Sequence, residues 1–201
     1  MQLTYDGSTI DGPAYLKIVG LADGAPGWVD SLVAGWSTYG LGVFALLMIA
    51  GWWQARRAGT PAAVTALAVP LVTVLAFGVD SLLKLAVHES RPCRQLHVLT
   101  LEACPAPGDW SFPSNHAALA SAAAFALLLV SRRLGFIGLA AAILMAASRV
   151  WVGAHYPHDV LSGFIVGALV ALLATWTVQR KQSTLAARLK DSPLRPLVAA
   201  A

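Results

Sequence analysis

Charge is what this sequence has least of. Of its 201 residues, 12% are Asp, Glu, Lys or Arg, while 57% are apolar. A soluble domain usually carries about a quarter charged residues. Half that share excludes a surface wetted on all sides. An early basic run is also missing, and Asp6 and Asp11 stand where one would be expected. The N-terminus therefore lacks the shape of a cleavable signal peptide. Cysteine is scarce, with Cys93 and Cys104 alone. An oxidising compartment permits a disulfide between them. A metal site with His88 or His97 is the rival, but no Cys-x-x-Cys or His-x-x-x-His spacing accompanies it.

What is present is apolar and long. Five runs reach or approach the ~20 residues a membrane helix needs. They cover Trp36–Trp53, Ala62–Val87, His116–Val130, Leu134–Val152 and Val160–Val178. The third is short and must borrow flanking residues. The expected fold is all-α, a polytopic membrane bundle of about five spans. Gly and Pro interrupt residues 1–35 too often for a sixth, although Ala14–Leu21 suits a short interfacial helix. A sixth crossing there would move only the N-terminus. The expected division is an extracytoplasmic segment over 1–35, a transmembrane domain over 36–179 and a basic cytoplasmic tail over 180–201.

The net charge of +4 would suit nucleic acid if the basic residues shared a soluble face. They sit instead at the ends of runs, so no nucleic-acid partner is expected. Arg56 and Arg57 follow the first run, Arg132 and Arg133 the third, and Arg180 and Lys181 the fifth. Arg188, Lys190 and Arg195 lie in the tail. Alternating spans put all of these on one side, which is then the cytoplasmic side. Asp6, Asp11, Asp23, Asp30, Glu89, Glu102 and Asp109 fall on the other.

Lys84, Arg91 and Arg149 break that pattern, because they lie at the outer ends of spans. Cations there call for an anionic partner, and a phosphate held between the spans would satisfy all three. Snorkelling to the interface, or pairing of Lys84 with Asp80 one turn away, is the bland alternative. Arg91 falls on the Lys84 face only if the helix persists, and Pro92 discourages that. Ser114 or Asn115 can cap the third span. His116 then lies in its first turn, where unpaired N–H groups suit an anion. His155 and Asp159 are four apart near the start of the fifth helix. A carboxylate on one ring nitrogen leaves the other free to attack. His158, His88 and His97 read as interfacial side chains, and Tyr156 as part of an aromatic belt.

Together these residues resemble the type-2 phosphatidic acid phosphatase superfamily, whose helical core is shared with vanadium haloperoxidases. Lys84 and Arg91-Pro92 match its K-x6-R-P block. Pro113-Ser114-Asn115-His116 matches P-S-G-H, with Asn for Gly. Ser148-Arg149, His155 and Asp159 match S-R-x5-H-x3-D. The resemblance covers roughly Lys84 to Gly163. It implies that Lys84, Arg91, Arg149, Ser114 and the N–H of Asn115 bind phosphate. It further implies that His155 becomes a phosphohistidine, Asp159 orients it, and His116 protonates the leaving group and later activates water. No metal or cofactor is implied. The short outer loops and the stretch Ser148–Asp159 look similar to undecaprenyl diphosphatases of the bacitracin-resistance type. The expected partners are the bilayer and a lipid phosphate in a bacterial inner membrane, with the site facing outward. Phosphatidylglycerophosphate or phosphatidate are alternative substrates. A non-catalytic lipid-phosphate binding or transport protein, and a phosphotransferase, are the alternatives of other classes.

Overall fold

The computed structural model describes residues 4–198, and among them the regular elements are all helices, apart from one isolated bridge between Tyr5 and Glu89. The helices are α1 (Ser8–Asp23), α2 (Gly27–Tyr39), α3 (Leu41–Ala58), α4 (Thr60–Val87), α5 (Pro92–Gln95), α6 (Asn115–Val130), α7 (Arg132–Trp151), α8 (Pro157–Lys190) and α9 (Arg195–Val198). Three of them, α4, α7 and α8, are long and apolar enough to cross a membrane. The pair α2 and α3 makes a fourth candidate, bent by 53°.

That bend corrects the first expected span. The apolar run begins at Trp36, but helix begins at Gly27 and turns at Gly40. A side chain at Gly40 would strike the carbonyl of Trp36 and the tip of Met145. Glycine lets α7 press into the corner, where Trp36, Phe44 and Met145 pack in one cluster.

Helix α6 is short because it sits at the centre. Alanine dominates it, and Ala117, Ala118, Ala120, Ala122, Ala123, Ala124 and Ala126 are all fully buried. A helix apolar on every face belongs inside a bundle. Small side chains let its neighbours approach closely. On α8, Gly163 and Gly167 supply the matching surface. A Cβ at Gly163 would collide with the backbone of Ser114, and one at Gly167 with the carbonyl of Ala118. Gly167→Val is therefore expected to cost about 1–3 kcal/mol of stability through overpacking, read as a lower unfolding temperature in detergent.

Both ends of the bundle differ from a bare set of spans. At one end α8 runs on to Lys190, about 51 Å in all at 1.5 Å per residue. That exceeds a hydrocarbon core of about 30 Å. Its last turns meet α4 and α9 through Ala63, Val64, Ala186 and Val198. At the other end α1 is longer than the expected Ala14–Leu21 helix. Its backbone leaves helical geometry at Asp11 (φ −144°, ψ 25°), in the turn before Pro13. The proline ring lacks an N–H and crowds that turn. Tyr15 is fully buried and its hydroxyl donates to the carbonyl of Gly153 at 2.9 Å. Burial pushes that phenol up to about 12, so it stays a donor.

Candidate active site

Four helix ends meet where α1 lies: the ends of α4 and α7 and the starts of α6 and α8. Helix α4 stops at Val87 because His88 takes a left-handed conformation (φ 55°) and returns its N–H to the carbonyl of Lys84. Pro92 then opens α5, and Arg91 before it is extended (φ −64°, ψ 144°). Lys84 and Arg91 therefore do not share a continuous helix. The loop onward is stapled by a Cys93–Cys104 disulfide.

Lys84 does not pair with Asp80. Its ammonium donates to the carbonyl of Trp110 at 2.9 Å, and both Asp80 oxygens lack a hydrogen bond. Arg91 spreads its guanidinium over two loops. Nε and Nη2 donate to the carbonyl and carboxylate of Asp109 at 3.1 and 2.8 Å. Nη1 donates to the Ala154 carbonyl and lies 2.9 Å from His155 Nε2. Arg149 makes a fork with Glu102 at 2.7 and 3.1 Å and also donates to Ser37. Both arginines are about 5% exposed, whereas Asp109 and Glu102 side chains are 51% and 39% exposed. Each buried cation thus faces outward onto a carboxylate that water can also satisfy.

His155 reaches this cluster through a tight reversal after α7. Gly153 has φ 82°, a left-handed value that glycine adopts without steric cost. The N–H groups of Ala154 and His155 then fold back onto the carbonyl of Arg149. Tyr156 caps α8, with Asp159 closing a capping box by accepting the Tyr156 N–H at 2.8 Å. The same Asp159 oxygen, Oδ2, accepts the Ser111 hydroxyl and lies 3.4 Å from His155 Nδ1. Arg91 donates to Nε2, so Nδ1 carries the ring proton and points it at Asp159. Burial holds the imidazole well below its ordinary range, and the charges of Arg91, Lys84, Arg149 and His116 push the same way.

Ser114 stands at the N-cap position of α6, yet neither it nor Asn115 caps the helix by its side chain. Ser114 Oγ and Asn115 Oδ1 are buried without a partner. Ser111 is the residue that sequence reasoning missed. A serine in a loop carries no pattern of its own, and only the fold places it over Asp159. Tyr156 is fully buried rather than part of an interfacial belt, its hydroxyl on Gln95 at 2.9 Å. His158 is more than an interfacial side chain, its ring being met by the carboxylates of Asp11, Glu89 and Asp159. Removing the Ser111 hydroxyl takes away one donor that fixes Asp159. Ser111→Ala is expected to lower turnover about tenfold, the scale of one hydrogen bond to a charged group, measured as steady-state phosphate release.

A helical membrane bundle that gathers buried cations and a His155–Asp159 pair at one end defines a class: multi-pass membrane proteins with a buried site suited to an anion such as phosphate. Residues 62–183, more than half of the chain, match the model of the PAP2 superfamily. The chain belongs to that superfamily, as a membrane lipid phosphatase. It is 32% identical over 149 residues to the undecaprenyl-diphosphatase BcrC of Bacillus subtilis, covering 72% of each chain. It is 42% identical over 98 residues to a lipid A 1-phosphatase of Rhizobium johnstonii, covering 46% of this chain and 39% of that one. In fold it is similar to the crystal structure of a transmembrane PAP2-type phosphatidylglycerolphosphate phosphatase from Bacillus subtilis. That match has a TM-score of 0.57 and 21% identity over 84% of this chain and 86% of the other.

Proposed function

We propose that this chain hydrolyses a polyprenyl diphosphate, undecaprenyl diphosphate foremost, to the monophosphate through a phosphohistidine on His155. Lys84, Arg91 and Arg149 hold the oxygens of the terminal phosphoryl group, helped by the Ser114 hydroxyl and the N–H of Asn115. Asp109 and Glu102 give way to those oxygens. The lone pair of His155 Nε2 attacks phosphorus. The bond from phosphorus to the bridging oxygen breaks, and His116 gives its proton to that oxygen. Water then attacks the phosphohistidine, His116 takes the water proton, and the P–N bond breaks to restore a neutral His155. Fixed cations in a partly dry site suit this reaction, which is mainly positioning and charge stabilisation. The chemistry needs no metal, so a chelator is expected to leave the rate unchanged.

One observation carries the reading: His155 Nε2 lies 2.9 Å from Arg91 Nη1 while Nδ1 faces Asp159. A nucleophile held that way points its lone pair at the group the cations would bind. The choice of polyprenyl diphosphate rests on the BcrC relative. Phosphatidylglycerophosphate, phosphatidate and lipid A are the rival substrates. The deciding test is phosphate release by detergent-purified protein from all four lipids, with and without an acceptor alcohol. A preference for undecaprenyl diphosphate and release as free phosphate are expected. Faster release from another lipid sinks the substrate choice, and transfer to the alcohol sinks hydrolysis. Release from none of them leaves a lipid-phosphate binding or transport protein.

Topology belongs to the same proposal. The basic residues at the end opposite the site support a cytoplasmic C-terminus, with the site facing outward from the inner membrane.

The pH dependence follows from the charge states. His155 must be neutral to attack and His116 protonated to donate. The depressed basicity of His155 keeps it neutral as pH falls. The acidic limb of kcat/KM is therefore expected well below about 6.5, the ordinary histidine value. Loss of the His116 proton sets the alkaline limb. A flat profile from about pH 4 to about pH 9 would contradict both roles.

A further inference from the structure

His158 has no part in the chemistry above, yet it is one of the most heavily engaged side chains in the protein. Its side chain is 14% exposed. Its ring stacks with those of Phe112 and Tyr156, with centroids 6.0 and 5.4 Å away. On one edge, Nδ1 is 2.8 Å from Asp11 Oδ1, and the His158 N–H donates to Asp11 Oδ2 at 2.7 Å. On the other edge, Nε2 is 3.1 and 3.2 Å from the two Glu89 oxygens and 3.4 Å from Asp159 Oδ1. Glu89 and Asp159 are 1% and 0% exposed. Asp159 Oδ1 has no hydrogen bond, so this ring edge is what it faces.

We infer that His158 is a positioning residue for the proposed reaction: its imidazolium, latched by Asp11 of α1, offsets the charge of Glu89 and keeps Asp159 the anion that orients His155. The inference rests on the reading of Asp159 as the group that orients His155. Three donors converge on Asp159 Oδ2, from Ser111, Tyr156 and His155. That convergence favours a carboxylate, the stronger acceptor, over a carboxylic acid. Two buried carboxylates at this range do not both ionise without a cation between them. Among the described residues, the charged groups facing the ring are acidic: Asp11 from α1, Glu89 from the chain after α4, and Asp159 from α8 itself. The break in α1 at Asp11 turns its carboxylate onto the ring. Gly7 lets the chain pass directly over Glu89, where a Cβ would collide with its carboxylate. The N-terminal helix thereby reaches the nucleophile through His158 and Asp159.

His158→Phe keeps a ring in the stack and removes the charge. A fall in kcat of about 30-fold is expected, with KM within about twofold, and the acidic limb of kcat, set in this variant by ionisation of Asp159 rather than of His155, moves to higher pH. Glu89→Gln in that background removes the charge the imidazolium offset, so about tenfold of the loss is expected to return. Asp11→Asn, a milder change, is expected to move the acidic limb the same way. A ring that merely packs gives neither the pH shift nor the recovery, and that result overturns the inference. Loss of wild-type activity to a chelator, restored by zinc, also overturns it, by assigning Glu89, His158 and Asp159 to a metal. Infrared difference spectra of aspartate-labelled protein, against Asp159→Asn, read the charge without turnover. Asp159 is expected as a carboxylate in the wild type, protonated in His158→Phe and a carboxylate again in the double variant. No change across that series overturns the inference. That series intact beside a wild type that releases no phosphate sinks the proposed reaction alone.

Discussion

His155→Ala is expected to reduce phosphate release by at least about 10⁴-fold in kcat, the scale seen when a nucleophile is removed. Nothing else in the site can replace it. His116 lies in the first turn of α6 and is proposed as the proton donor, and His158 is enclosed by carboxylates. The alanine also frees Arg91 Nη1 and the Asp159 oxygen, so substrate binding is expected to survive or tighten while chemistry stops. Substrate labelled in its terminal phosphate supplies the second measurement. Wild-type protein quenched during turnover is expected to carry label that is lost in acid and kept in base, as a phosphoramidate is. The variant is expected to carry none. Release by His155→Ala within tenfold of the wild-type rate would remove the nucleophile from the mechanism.

Arg91→Ala is expected to lower kcat/KM by about 10³-fold, near the upper end for loss of one stabilising donor. Arg91 differs from the other cations in touching His155, the proposed nucleophile. Its guanidinium spans Asp109, the Ala154 carbonyl and His155 Nε2. It therefore sets the ring tautomer in the resting protein and is placed to receive phosphoryl oxygens beside the attacking nitrogen. A lysine brings a point charge without the fork. Arg91→Lys is expected to recover a tenth or less of the lost rate. The kinetics of the two variants on one lipid substrate decide the matter, and equal rates for arginine and lysine would reduce Arg91 to a simple counter-charge.

Much of this was readable from the residues alone because membranes impose strong rules on sequence. Apolar runs mark spans, since an unpaired backbone cannot face lipid. Their edges agree with α4, α6 and α7 to within a few residues. Lys84, Arg91 and Arg149 are conspicuous because charge at the end of a span, away from the other basic clusters, is costly without a partner. The elements that escaped sequence reading are those whose cause is a neighbour. The bend at Gly40 exists because Met145 packs into it. Helix α8 extends past its apolar run because α4 and α9 cover its last turns.

The sequence by itself determined the all-helical membrane class, the placing of Lys84, Arg91 and Arg149 near the ends of apolar runs and the spacing of His155 from Asp159. Hydropathy, charge placement and helical period are local quantities that a linear chain states directly. Only the tertiary structure decided what each charge touches. Glu102 meets Arg149, Asp109 meets Arg91, Ser111 meets Asp159, and Asp11 and Glu89 enclose His158. Those partners lie up to 147 residues apart in the chain, and side-chain pairing at such separation is fixed by packing, which no local pattern encodes.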